Sequence, residues 1–196
     1  TWNLTPFDNS HLYNGTDRGN YTENSFAGIA IGKNTNIQEA GNPTYYSGLA
    51  IGNYAQATGG ISFALGHYAQ ALSPSAMALG TATKASGFNS LAMMRQSAAE
   101  GEFSTALGTA SWAKGNGSFA MGYSATAKAD QSIAIGAAET IKLPGQQHGT
   151  PSAQYNANGN TVTEGVRSLA FGTKARTSTA AADSMAFRFL IQYWWR

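Results

Sequence analysis

The residues able to do chemistry in this 196-residue chain are few, and their spacing is poor for it. Its three histidines, His11, His67 and His148, stand at no metal-ligand or nucleophile-base spacing. The complete lack of cysteine excludes disulfides, thiolate zinc sites, iron-sulfur clusters and cysteine nucleophiles. GIAIGKN at 28–34 looks superficially like a phosphate loop. It has three residues between its glycines where four are needed, and no Ser or Thr follows Lys33. The Gly-Gly-x-Gly-x-Asp phrase of calcium-binding rolls is missing, and no stacked Thr row marks an ice-binding face. These observations predict a non-enzymatic chain with no catalytic residues, no metal and no cofactor.

Composition narrows the remaining classes. Charged residues make up 11% and the formal net charge is +2, too little clustered Lys and Arg for nucleic acid or an anionic membrane surface. No apolar run approaches the roughly 18 residues of a membrane-spanning helix, and TWNLTPFD carries neither a start Met nor a signal-peptide pattern. The chain reads as an excised or processed soluble piece without direct membrane contact. It holds 34 Ala and 23 Gly, so 57 of 196 residues have at most a methyl group as side chain. A core of large side chains is hard to build from that.

What must position any functional residue is a repeat. One phrase recurs as GIAIG (28–32), GLAIG (48–52), SFALG (62–66), AMALG (76–80), SLAMM (90–94), STALG (104–108), SFAMG (118–122), SIAIG (132–136), SLAFG (168–172) and SMAFR (184–188). From 52 to 136 its last residue returns every 14 positions without a slip. With each unit numbered from Asn53, columns 5 and 12 are Ala in all six units, column 10 is Ser except at Ala76, and column 14 is Gly except at Met94. His67 falls in column 1, a turn position, and reads as a solvated loop residue. The column-10 serines read as hydroxyls bonding backbone where a turn begins.

An Ala-rich helix would scatter columns 10–14 around its circumference and carry a Gly in most units, at about 1 kcal/mol each. A strand sends alternate side chains to opposite faces, which matches Ser, Ala and Gly on one side and large apolar residues on the other. Columns 3, 5 and 7 form a second small-residue face, with 2, 4 and 6 mostly polar or aromatic. Each unit therefore reads as two short strands, and successive units stack at about 4.8 Å into a parallel solenoid with a very narrow interior.

Columns 11 and 13 then form a stripe without a partner inside the chain: Phe63, Leu65, Met77, Leu79, Leu91, Met93, Leu107, Phe119, Met121, Ile133 and Ile135. Burying each is worth about 1.5 to 3 kcal/mol, so some 20 kcal/mol per chain is at stake. Such a stripe does not stay in water, and self-association about an axis parallel to the stack covers it. Periodicity alone leaves open whether two or three chains assemble.

SIAIG, SFALG and SFAMG at 14-residue spacing, with intervening runs such as SATAKADQ and TATKASGFN, resemble the head repeats of trimeric autotransporter adhesins, the YadA-like head. The resemblance is close over 28–136 and loose over 165–188. It implies an all-β, left-handed parallel β-roll, a homotrimer with the stripe as its interface, on the bacterial cell surface and anchored in the outer membrane through a stalk and barrel absent here. Four features depart from the pattern. Met94 and Arg188 replace the phrase-ending Gly, which predicts locally altered turns. Residues 137–167 are an inserted excursion in which Asn158-Gly159 predicts a two-residue hairpin. FRFLIQYWWR, closing the final repeats of 168–196, reads as an edge strand or a junction, and 1–27 as a terminal cap or ligand-meeting tip.

The polar columns offer Tyr54, Gln56, Tyr68, Gln70, Trp112, Lys114 and Lys128. Aromatics beside amides and cations are common interface anchors, although they also simply cover strands. Tyr54, Tyr68, Trp112, Lys114 and Lys128 are the candidate ligand-binding residues. The resemblance implies an adhesin head that binds host matrix or cell-surface proteins of the collagen, fibronectin or laminin class. A receptor-binding segment of a phage or other trimeric fibre, or a structural spacer, shares the same packing physics.

Overall fold

The structure, a computed structural model, describes residues 21–23, 28–38, 48–141 and 156–188. Among these residues all regular structure is β, in two parallel ten-stranded sheets and one small antiparallel pair. The first sheet takes its strands from Tyr21–Glu23, Asn36–Gln38, Gln56–Ala57, Gln70–Ala71, Lys84–Ala85, Ala98–Ala99, Trp112–Ala113, Thr126–Ala127, Val162–Thr163 and Arg176–Thr177. The second takes Ile29–Ile31, Gly48–Ile51, Ser62–Leu65, Met77–Leu79, Leu91–Met93, Thr105–Leu107, Phe119–Met121, Ile133–Ile135, Leu169–Phe171 and Met185–Phe187. The chain alternates between sheets, and each strand pairs with the one a repeat away. This is a parallel β-solenoid, as the 14-residue period predicts.

Register is uniform because the columns are. Ala64, Ala78, Ala92, Ala106, Ala120 and Ala134 stand opposite one another in successive strands, and the series continues through Ala170. All are fully buried, as are Ala71, Ala85, Ala99, Ala113 and Ala127 of the facing sheet. Columns 3 and 10 complete the interior with Ala, Ser and Thr, so the largest fully buried side chain is a threonine. The regular units hold nothing bigger; Ile37, near one end of the stack, is buried to 3% where Gly48 leaves room beside it. At column 7 the turns press on each other directly: a Cβ on Gly101 would lie 2.0 Å from the Gly115 carbonyl oxygen.

The second half of each unit follows the predicted alternation, and the first half departs from it. Only columns 4 and 5 pair as strand there. Column 2 turns the corner instead, with Tyr54, Tyr68, Ala82, Gln96, Ala110 and Ser124 at φ between 55° and 59°. A left-handed residue breaks the two-residue alternation, so the column-2 tyrosines sit on a corner of the solenoid and not in line with columns 4 and 6. Column 9 makes the other corner in the same conformation, from Ile61 to Asp183. Met94 is altered as its sequence implies, with φ 80° where the neighbouring column-14 glycines Gly80 and Gly108 stand at 136° and 133°.

The excursion corrects the predicted hairpin. Asn156–Asn158 pairs antiparallel with Glu139–Ile141, so Asn158-Gly159 is not a two-residue turn between adjoining strands. Gly159, at φ 74°, leads the chain back to the stack, where Val162–Thr163 pairs with Thr126–Ala127. Residues 162–163 therefore belong to the solenoid. Tyr21–Glu23 does too, pairing with Asn36–Gln38, although the sequence there shows no repeat. The rest of the expected terminal cap and the FLIQYWWR ending lie outside the described residues.

Candidate binding surfaces

Two outward faces and two corners are available for contact, and the strand period assigns each column to one of them. The outward face of the second sheet is the apolar stripe. Met77, Met93, Met121 and Ile133 are exposed on it, and Phe63, Leu65, Leu79, Leu91, Leu107, Phe119 and Ile135 are half-buried. The stripe continues beyond the regular units through Ile29, Ile31 and Ile51 at one end and Phe171, Met185 and Phe187 at the other. All eleven predicted stripe residues thus share one face, and within the chain they cover only the backs of the alanines.

The outward face of the first sheet is polar. Gln56 and Gln70 face each other in register, the Gln70 amide donating to Gln56 Oε1 at 3.4 Å. Lys84 pairs with Glu100 at 3.5 Å, and Lys128 Nζ lies 2.6 Å from Glu164 Oε1. Lys128 holds the Glu164 carboxyl below the usual carboxylate range, chiefly through that hydrogen bond and secondarily through its charge, with a smaller contribution from Arg176. Trp112 stands between Ala98 and Thr126 in the strand register, and Lys114 Nζ sits 5.5 Å from its ring centroid. The small neighbours leave the indole open on the face.

The five predicted ligand-binding residues therefore divide. Trp112, Lys114 and Lys128 share the polar face on adjacent turns. Tyr54 and Tyr68 come together on the corner one strand end away, their rings 4.7 Å apart and within 4° of parallel. His67 is the exposed turn residue its column predicts, and it joins the same cluster, edge-on to Tyr68 at 4.4 Å. The opposite corner carries a feature that sequence reading passed over, Phe88 edge-to-face with Phe103 at 5.6 Å. They are 15 residues apart, in columns 8 and 9 of successive units, so stacking the sequence at 14 would have placed them side by side.

The column-10 hydroxyls divide as well. Ser62, Ser132, Ser168 and Ser184 donate to the carbonyl three residues earlier, as predicted. Ser90, Ser104 and Ser118 are buried with no hydrogen-bond partner. Their column needs a small side chain more than it needs an oxygen. Among the described residues no group of three His, Cys, Asp or Glu side chains is placed to hold a metal ion.

The family model of the YadA head domain repeat matches residues 46–69, 71–93, 95–111, 99–123 and 113–138. A comparison with curated proteins finds no match.

Proposed function

We propose, from residues 46–138 being YadA head domain repeats of an adhesin family, that this chain is the head of a trimeric surface adhesin of a bacterium. Three copies bury their apolar stripes around a common axis, and the polar faces turn outward to host matrix or cell-surface proteins. The observation that carries this reading is the segregation of side chains. Large apolar residues line one sheet from Ile29 to Phe187, whereas Trp112 is the single large hydrophobic exposed on the described part of the other. A solenoid serving only as a spacer has no use for an open indole beside a cation.

Binding works through repetition. Identical faces on a rigid stack let weak contacts with an extended ligand add, because each bound contact raises the effective concentration of the next. Trp112 supplies the apolar anchor, and Lys114 and Lys128 supply cations that meet acidic or carbonyl groups of the ligand. Tyr54 and Tyr68 border this surface.

Binding of the fragment to immobilised collagen, fibronectin and laminin tests the proposal, with Trp112→Ala and Lys114→Ala as variants. Saturable binding to one of them, weakened at least about tenfold by Trp112→Ala, is the expected result. No binding to any, or binding indifferent to Trp112, overturns it. Sedimentation of the fragment tests assembly, with Leu107→Asp plus Met121→Asp expected to yield smaller species.

A further inference from the structure

We propose that the corner at Tyr68 is a carbohydrate site, in which one pyranose ring lies on the open face of Tyr68 at the level of Ala82, between Tyr68 and Gln96. The site is complete within one chain and lies off the polar sheet, so it goes beyond the protein-binding face that Trp112 anchors. Column 2 builds it. Asn34, Tyr54, Tyr68, Ala82 and Gln96 follow one another there at φ between 54° and 59°. The same backbone bond recurs at each step: the Tyr68 N–H donates to the Asn53 carbonyl at 2.9 Å, Ala82 to His67 at 2.8 Å and Gln96 to Thr81 at 2.9 Å. Equal backbone geometry sends these side chains off the corner in one direction, one turn apart.

The aromatic ladder stops at Tyr68. Tyr54 and Tyr68 stack at 4.7 Å, close to the roughly 4.8 Å spacing of turns, so their ring planes lie across the stack. Tyr54 has Asn34 on one side and the Tyr68 ring on the other, and it is half-buried. Tyr68 meets the methyl of Ala82 where a third ring would continue the ladder, and it is 47% exposed. Gln96 bounds the opening one turn further on. From Tyr68 to Gln96 is two turns, about 9.6 Å, which admits one ring at stacking distance and no second. His67 stands edge-on to Tyr68 at 4.4 Å and to Tyr54 at 6.3 Å, so the platform is held in place before a ligand arrives.

The rim decides which ring fits. Thr81 follows His67 in column 1 and flanks the open level as His67 flanks Tyr68. Thr81 and Gln96 are exposed and bring a hydroxyl and an amide to the edge of the opening. A pyranose offers an apolar C–H face to the tyrosine and hydroxyls around its edge to these two groups, so it uses floor and rim together. An aromatic ring of a ligand would use the floor alone. Neither Thr81 nor Gln96 carries a charge, which suits sugar hydroxyls better than a phosphate or carboxylate.

Saturation-transfer NMR on the unmodified fragment tests the site, with the methyl β-glycosides of glucose, galactose and N-acetylglucosamine as probes. Transfer to the ring C–H protons of at least one is expected, and Tyr68→Ala should weaken that binding about tenfold or more. Ala82→Tyr is the sharper variant, because it keeps Tyr68 and adds a third ring at the level the sugar occupies; it should abolish transfer. Column 2 already holds both residue types, with Ala110 and Tyr54, and melting curves check that each variant keeps the stack. Either variant decides the matter if the other unfolds. No transfer to any of the three glycosides, transfer that survives Ala82→Tyr, or transfer to N-acetyltyrosine amide alone overturns the proposal. A fragment that binds no matrix protein yet shows sugar transfer blocked by Ala82→Tyr overturns the polar-face reading and leaves this site standing.

Discussion

Lys128 and Glu164 are 36 residues apart in sequence and one turn apart in the stack, their side chains joined at 2.6 Å. The excursion between them leaves the solenoid after Ile133–Ile135 and returns with the register of both sheets intact, Thr126 against Val162 and Ile133 against Leu169. The ion pair clasps the base of this insertion. Because the Glu164 carboxyl is depressed below its ordinary value, its contribution is present at neutral pH and is lost as pH falls through the acid carboxylate range. Protection of the amides of 162–164, taken relative to their intrinsic exchange rate at each pH, is expected to fall through that range in the unmodified protein, and Glu164→Gln to show the lower protection already at neutral pH. A protection profile in Glu164→Gln that still falls at acid pH to the same degree would contradict this assignment.

The interior of the regular units holds no bulk. Ala106 is fully buried between Ala92 and Ala120. Ala106→Leu is expected to destabilise the fold by about 3 kcal/mol or more, because the two sheets cannot separate at one turn without straining the ladders above and below. Urea unfolding with an unchanged slope measures it.

Ser104 and Ser132 occupy the same column and are expected to respond oppositely to alanine. Ser104 buries a hydroxyl without a partner, and Ala76 fills its position in another turn. Ser104→Ala should leave stability unchanged or raise it by about 1 kcal/mol. Ser132 donates to the Ala129 carbonyl at 2.7 Å and accepts from Thr163 at 2.9 Å, so its loss should cost about 1 to 2 kcal/mol. Parallel thermal unfolding of the two variants distinguishes them.

Gly101 and Gly117 offer a second contrast. An added methyl at Gly101 strikes the Gly115 backbone, which cannot move without opening the next turn, and Gly101→Ala is expected to cost about 3 kcal/mol or more. At Gly117 the nearest atom is Gln131 Cγ at 3.7 Å and the penalty is the left-handed φ of 62° alone. Gly117→Ala should cost about 1 kcal/mol. Equal losses at the two positions would show that turn contact does not limit the stacking.

The repeat made the second sheet readable because its strands satisfy period and polarity together. Ser, Ala and Gly alternate with Phe, Leu or Met, and the buried and outward residues fall as the columns predict. The first sheet was half readable. Column 5 alanines marked its buried row, but Tyr54 and Tyr68 looked outward-facing until the left-handed φ at column 2 placed them on a corner. Nothing in a tyrosine announces that conformation, since Asn or Gly is the usual signal for it. Asn158-Gly159 erred in the opposite direction. The favoured turn dipeptide was present, yet Asn158 had a partner in Glu139, nineteen positions upstream, where local spacing gives no hint of pairing.

From residue order alone came the period, the narrow alanine interior and the apolar stripe, because each depends only on which side chains recur and on the alternation of a strand. Tertiary structure decided what recurrence leaves open: which half of a unit continues as strand and which turns, where an insertion rejoins, and which residues of different units touch. Those outcomes depend on backbone angles and on atoms brought close from distant positions, so Lys128 meets Glu164 across the excursion while Phe88 and Phe103 meet at the edge of the polar sheet.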